Sequence, residues 1–150
     1  MPVRIATIDD LATIRALLNS HAQTEGGRGA GGGGGSDDLG AALAGDHPTV
    51  FATIVSVPDQ PLVTAGVALW YPTFSSWALT SGIWLEDLFV DDAFRNAGLG
   101  LELMNDLRSR TSGRVEWEVS AGNAGAERFY RKLGAAPREG WTQYRWLPSD

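Results

Sequence analysis

Two adjacent carboxylates and a glycine-bearing turn are the residues of this chain whose types and spacing could do chemistry. Glu86 and Asp87 interrupt an apolar stretch at 84–90, and the pattern Arg-x-x-Gly-x-Gly follows at 95–100. Carboxylates beside a cleft can hold a cation or accept a proton. A strand, a glycine turn and a helix start form an anion site, because unpaired backbone N–H groups converge there and the helix dipole favours negative charge. The spacing matches neither the dinucleotide fingerprint nor a P-loop.

The elements that must position these residues alternate between strands and helices. Hydrophobic periodicity predicts strands at 3–8, 49–57, 62–71, 82–90, 114–119 and 141–147, and helices at 9–22, from 36–38 onward, at 99–111 and at 124–132. Residues 72–81, with Phe74 and Trp77, are predicted to form a loop. The strand at 82–90 is expected to be central because it is nearly continuously apolar. The order predicts one α/β domain over residues 1–150 with a mixed sheet.

Local signals mark several helix ends. Thr7 with Asp10 three residues later is a capping-box pattern. Leu99, Leu103 and Leu107 form one apolar stripe, which predicts that the helix after the glycine turn packs on the core. Gly134 is the stop signal of the helix at 124–132.

Residues 26–35 hold eight glycines, interrupted only by Arg28 and Ala30. Fixing such a run in one conformation costs much backbone entropy, so we predict a flexible loop here. It is either a lid over a substrate site or a tolerated surface insertion.

Composition limits the class of protein. The 150 residues include no cysteine and carry a net charge of −6, which excludes cysteine metal sites and argues against a nucleic-acid partner. We expect no metal site, because His21 and His47 are not near any nucleophile or metal pattern. No apolar run reaches the roughly 18 residues of a spanning helix, and the N-terminus does not resemble a signal peptide. We therefore expect a soluble, cytoplasmic protein without a membrane partner.

Three stretches resemble the GNAT superfamily of N-acetyltransferases. The motif at 95–100, after Leu88-Phe89-Val90, resembles its acetyl-CoA-binding motif, and Asn123 with the stretch 129–135 resembles its second motif. The stretches 84–90 and 139–141 resemble a narrower group, the diamine/polyamine (spermidine/spermine-type) and thialysine acetyltransferases. The resemblance implies a mixed, mostly antiparallel central sheet with flanking helices, acetyl-CoA as co-substrate and a homodimer.

The resemblance also assigns roles to residues. Glu86 would face the acceptor and relay a proton through water, whereas Asp87, on the opposite side of the strand by alternation, would be structural or a second acceptor contact. Tyr130 would be the acid for the coenzyme A thiolate. A bulge in the strand at Leu88, Phe89 and Val90 would polarise the acetyl carbonyl with a backbone N–H. The co-substrate would be bound by Leu88, Phe89, Val90, Arg95, Asn96, Ala97, Gly98, Leu99, Gly100, Leu101 and Asn123.

The acceptor is expected to be a small cationic amine. Glu25, Glu118, Glu139 and Trp141 are further candidates for an acidic, aromatic-lined cleft, in which the indole adds cation–π attraction. With no nucleophile–base pair in the sequence, we expect direct attack by the amine rather than an acetyl-enzyme. Two alternatives stay open: another amine acceptor, such as an amino acid analogue, an antibiotic or a protein amine, and a non-catalytic module that binds acyl-CoA and regulates a partner.

Overall fold

The computed structural model describes residues 3–24 and 38–149, so the predicted glycine-rich loop at 26–35 and the candidate Glu25 lie outside the described residues. The chain divides into two compact units, Met1–Glu118 and Val119–Asp150. No helix in the described part of the chain is long and apolar enough to cross a membrane.

The first unit is built on a five-stranded mixed sheet. Its strands are β1 Val3–Ile5, β2 Phe51–Val57, β3 Gln60–Ser75, β4 Thr80–Val90 and β5 Val115–Trp117, and its helices are α1 Leu11–Thr24, α2 Leu39–Ala44 and α3 Leu99–Ser109. The strands lie in the order β1-β2-β3-β4-β5. The first three pairings are antiparallel and only β4 with β5 is parallel. The predicted fold class, an α/β fold with a mostly antiparallel mixed sheet and flanking helices, is confirmed.

Two helices cover opposite faces of the sheet. Ile14, Leu17 and Leu18 of α1 are buried in one cluster with Val67, Leu69 and Phe89, among others. The predicted stripe of α3 is also buried, and Arg110 at the end of that helix lies 5.8 Å from the ring centroid of Trp70. Leu69 packs with α1, and Trp70 lies against the end of α3. Because neighbouring residues of a strand face opposite sides, the two helices lie on different faces of the sheet.

The predicted loop at 72–81 is wrong. β3 and β4 continue as a long hairpin whose last register pair is Ser75↔Thr80. Pro72 is tolerated inside this strand because the pairing of β2 with β3 ends at Trp70, which leaves Pro72 with a strand neighbour on one side only.

The predicted strand at 141–147 is also wrong. Residues 135–149 contain no helix and no strand, and residues 141–149 are exposed. Its alternating pattern suits a strand, but a strand also needs a partner for its backbone N–H and C=O groups, which periodicity cannot supply. By contrast α4, Ala124–Lys132, has the predicted bounds, and Gly134 follows it with a φ of 89°.

The predicted capping box is present before the first helix, and the Asp10 carboxylate accepts its backbone hydrogen bond. The Thr7 N–H donates to Asp10 Oδ2 over 2.8 Å, and the Arg4 guanidinium donates to both oxygens of that carboxylate. These bonds lower the pKa of Asp10 to about 2, mainly through Arg4. The predicted strand at 3–8 ends at Ile5, because Ile8–Asp10 form a 3₁₀ turn that leads into α1.

Candidate active site

β4 carries a bulge at Glu86. Leu69 pairs with Asp87 and Trp70 pairs with Leu85, so Glu86 has no partner residue on β3. A bulge adds one residue to a strand, disrupts the ladder locally and changes the direction of the side chains around it. The resemblance implies a bulge at Leu88, Phe89 and Val90, but those residues pair regularly with β3, and the bulge lies earlier on the strand, at Glu86.

The bulge brings the two acidic side chains to the same face, so the expectation that Glu86 and Asp87 face opposite sides is wrong. Tyr71 pairs with Trp84, and Leu69 pairs with Asp87. Leu69 and Tyr71 share a face because they are two positions apart on β3. Their partners on β4, Asp87 and Trp84, therefore lie on that face as well. The Glu86 carboxylate accepts a hydrogen bond from the Trp84 indole over 2.9 Å, which places that carboxylate on this face.

Tyr71 is at the centre of this acidic region, and sequence reasoning missed it. Burial raises the pKa of Tyr71, and the negative charges of Glu86 and Glu118 raise it further. Glu118 directly follows β5, whose register places Glu116 opposite Trp84. The structure therefore brings together two of the predicted acceptor residues, Glu86 and Glu118. Only the strand register could have revealed Tyr71, because nothing in its local sequence marks it.

The Asp87 carboxylate contacts His21, a residue for which no functional role was predicted. His21 Nε2 in the last turns of α1 lies 3.3 Å from Asp87 Oδ1, and both side chains are partly exposed. The His21 ring also lies 5.4 Å from the ring of Phe89. We call the face that carries Tyr71, Trp84, Glu86 and Asp87, with His21 over it, the acidic face.

The turn after β4 has the backbone of an anion site. Asn96 and Gly98 have positive φ, 64° and 78°, and Gly98 is the N-cap of α3. The turn thus ends at the N–H groups of the first helical turn, which have no partner within the helix. Nothing lies within 4 Å of the place where a Cβ of Gly98 would stand, so a ligand can approach the backbone there.

The Arg95 side chain makes its contacts within the turn and with the end of β4. Its Nε donates to the Val90 carbonyl over 3.0 Å and lies 2.9 Å from Asp92 Oδ1. Its guanidinium lies 5.6 Å from the Phe89 ring centroid. The side chain therefore fixes the start of the turn, while Ala97, Leu99, Gly100 and Leu101 continue the turn into α3.

One edge of β4 is only partly covered by its neighbour. Among the described residues, β5 pairs with β4 at Ile83, Trp84 and Leu85 alone. The predicted co-substrate residues Leu88, Phe89 and Val90 pair with β3 on the other edge. An extended ligand could add to the free edge through main-chain hydrogen bonds.

The second unit carries the remaining candidates. The Asn123 side chain caps α4 by accepting from the Ala126 N–H over 3.1 Å. Tyr130 is half-buried, with its ring 5.2 Å from that of Phe129. Glu139 is exposed, and Arg138 lies 4.4 Å from the ring centroid of Trp141. No group of three or more possible metal ligands occurs within residues 3–24 and 38–149.

Comparison with known proteins supplies the family. The sequence model described as Acetyltransferase (GNAT) family matches residues 38–135. Over 91 residues, 57% of this chain, the sequence is 32% identical to L-ornithine N5-acetyltransferase NATA1 of Arabidopsis thaliana. Over 112 residues, 67% of this chain, it is 29% identical to Spermidine/spermine N(1)-acetyltransferase-like protein 1 of Homo sapiens. These matches span 40% and 16% of the length of those relatives.

Solved structures match the fold over nearly the whole chain. A possible acetyltransferase from Clostridium difficile 630 superposes with a TM-score of 0.79, covering 99% of this chain and 97% of that protein. The two sequences are 20% identical, so this likeness concerns the fold alone.

Proposed function

The chain belongs to the GNAT acetyltransferase family, and we propose that it transfers an acetyl group from acetyl-CoA to a primary amine of a small cationic acceptor. The observation that carries the proposal is the acidic face, where a bulge places Glu86 beside Asp87 and next to Trp84 and Tyr71. Glu118 adds its negative charge near Tyr71. Such a surface attracts a cation and offers it aromatic rings as well as carboxylates.

Acetyl transfer to an amine needs a base, because the acceptor amine arrives protonated. A lysine-like amine has a pKa near 10.4, so removing its proton at pH 7 costs roughly 4–5 kcal/mol. Glu86 is the candidate to accept this proton, directly or through water, because the bulge exposes it and Trp84 orients it. The neutral amine then attacks directly, without an acetyl-enzyme.

The residues after the bulge fit acetyl-CoA, the co-substrate of this family. When bound it supplies an acetyl group activated as a thioester. The backbone of residues 96–101 would hold the pyrophosphate, since its positive-φ turn ends at a helix N-terminus with open space at Gly98. Leu88, Phe89 and Val90 would pair with the pantetheine arm along the free edge of β4. Arg95 would hold the turn in shape.

Residues of the second unit complete the proposal. Tyr130 would protonate the leaving thiolate, a mildly uphill transfer because a thiol pKa is near 8.5 and a tyrosine pKa near 10. Asn123 would contact the pantetheine arm of the co-substrate while its side chain also caps α4. Glu139, Trp141 and Glu25 stay candidates for acceptor contacts.

For the acceptor itself we propose a diamine, a polyamine or a thialysine-like amine. Two relatives with matching sequence are named for ornithine and for spermidine or spermine, and each of these molecules carries more than one amine. Several carboxylates in one region suit a molecule with several positive charges.

We also propose a homodimer. Six tryptophans, among them the exposed Trp77, Trp141 and Trp146, provide apolar area of the kind that interfaces bury. Light scattering at micromolar concentration would give a monomer mass if this proposal is wrong.

Free thiol release from acetyl-CoA tests the function. The panel contains diamines, spermidine, ornithine, thialysine, lysine and a basic peptide, and a Tyr130→Phe variant is assayed beside the wild type. Turnover with a diamine or polyamine, strongly reduced in the variant, supports both the acceptor class and the acid. Turnover with another amine alone overturns the acceptor class. Binding of acetyl-CoA without turnover of any amine favours the regulatory module.

A further inference from the structure

The contact between His21 and Asp87 joins a helix to the acidic face. The two atoms, His21 Nε2 and Asp87 Oδ1, lie 3.3 Å apart. Two acceptor lone pairs would repel at this separation, so Nε2 carries the proton and faces the carboxylate. Asp87 thus interacts with His21 in either charge state of the imidazole, while protonation of the second ring nitrogen adds a full positive charge beside it.

We propose that His21 is a specificity-determining residue, which sets through its own charge how strongly the acidic face attracts a second positive charge on the acceptor. With neutral His21 the pair carries one net negative charge, and Asp87 is available to a cation. With protonated His21 the pair is neutral, and the imidazolium occupies the place of the second ammonium. This inference rests on the proposed function, since it assumes that the acidic face receives the acceptor.

Histidine is the residue type on the acidic face that ordinarily changes charge near neutral pH. On β4 the charged groups near His21 are Asp87 and the neighbouring Glu86, and the sole titratable residue of β3 is Tyr71. Arg95 approaches from the turn after β4, over the Phe89 ring that His21 also contacts. Carboxylates, tyrosine and arginine keep their charge states between about pH 5.5 and 8, whereas histidine ordinarily titrates there.

Within the described residues, α1 and the turn before it contribute few other charges. On α1 the only other charged residue is Arg15, nearly two turns before His21, and Asp9 and Asp10 precede the helix at its opposite end. Glu25 follows His21 by four positions and lies outside the described residues.

The test measures affinity rather than turnover, so it also works if the protein does not transfer acetyl groups. Calorimetry gives Kd for putrescine and for butylamine, which share a chain length and differ in one ammonium. The ratio of the two Kd values removes effects that are common to both amines. We expect the wild-type preference for the diamine to fall roughly fivefold between pH 7.5 and pH 5.5, the size of one partly exposed charge pair.

Variants assign the effect to one residue. In His21→Gln the diamine preference should stay at its high-pH value throughout, and in Asp87→Asn it should already be lower than the wild-type value at pH 7.5, because the pair has lost its negative charge. His47→Gln, which removes the other histidine from an exposed loop, should keep the wild-type pH dependence. Circular dichroism confirms that each variant is folded.

Three results would overturn the inference: a wild-type preference that does not change with pH, the same pH dependence in His21→Gln, or no binding of either amine. Absence of thiol release with bound diamine would overturn the proposed function and leave this result standing. The two proposals therefore fail separately.

Discussion

The Trp84 indole donates a hydrogen bond over 2.9 Å to Glu86, which is the extra residue of the bulge and lies two positions further along β4. In a regular strand these two side chains would share a face without any constraint on the carboxylate. Here the indole fixes one oxygen of Glu86 and leaves the other for a proton or a cation. The bulge and the indole together determine where the proposed base lies.

Replacing Glu86 by glutamine should remove the base while keeping the oxygen that accepts from Trp84. We expect kcat with a diamine to fall by about 10²- to 10⁴-fold, the usual contribution of a general base, while KM for acetyl-CoA stays unchanged. Thiol-release kinetics measure both constants. A Trp84→Phe variant, which keeps the carboxylate and loses its orientation, should show a smaller loss. An unchanged kcat in Glu86→Gln would exclude this residue as the base.

Glu118 should contribute to acceptor binding more than to the chemical step. Its charge reaches Tyr71 on the acidic face, so we expect Glu118→Gln to raise KM for a diamine about fivefold through the loss of one partly screened attraction. Steady-state kinetics at constant ionic strength measure the change. Asp59→Asn, in the exposed turn of the β2–β3 hairpin, removes the same charge elsewhere and should have no effect. Equal shifts in both variants would indicate a general effect of net charge.

Gly98→Ala should weaken co-substrate binding through the backbone. No atom would contact the added Cβ, but the φ of 78° is unfavourable for alanine, which costs about 1–2 kcal/mol. We expect a lower free energy of unfolding by about that amount and a higher KM for acetyl-CoA. Gly140→Ala, at a φ of 85° with equally open surroundings, is the matched control.

Urea unfolding and acetyl-CoA kinetics separate the two effects of that substitution. Both glycine variants should lose stability, whereas only Gly98→Ala should change KM. The same KM in both variants would show that the turn at 95–100 does not bind the co-substrate.

Asp10→Asn should remove a contribution to stability that depends on pH. The pKa of Asp10 is lowered to about 2, chiefly by Arg4, which is below the value of about 3.9 in an unfolded chain. The contribution is therefore present above pH 4 and is lost as the pH falls towards 2. Arg4 is partly exposed, so we expect a difference of about 1 kcal/mol between wild type and variant at pH 7.

Urea unfolding at several pH values measures this difference. It should shrink between pH 4 and pH 2, where the wild type also becomes protonated. Asp9→Asn, at the neighbouring position of the same turn, serves as the control and should not show this trend. A difference that stays constant over the range would contradict the assignment to the Arg4–Asp10 pair.

The sequence by itself determined the features that depend on short stretches of chain. The stripe Leu99, Leu103 and Leu107 predicted a packed helix, and that helix is buried as expected. The bounds of α4 follow from a local pattern and a stop glycine, and the motif at 95–100 together with its preceding strand pointed to the family. These signals are readable because helical periodicity and turn preferences depend on residues only a few positions apart.

Only the tertiary structure decided the composition of the acidic face. The bulge at Glu86 follows from the register of β4 on β3, and the same register places Tyr71 opposite Trp84. His21 reaches Asp87 because α1 packs on that face. A residue's own sequence neighbours do not specify the residue that faces it from another strand or helix. That choice follows from how the chain as a whole pairs its strands and buries its apolar side chains, and for the same reason the apparent strand at 141–147 did not form.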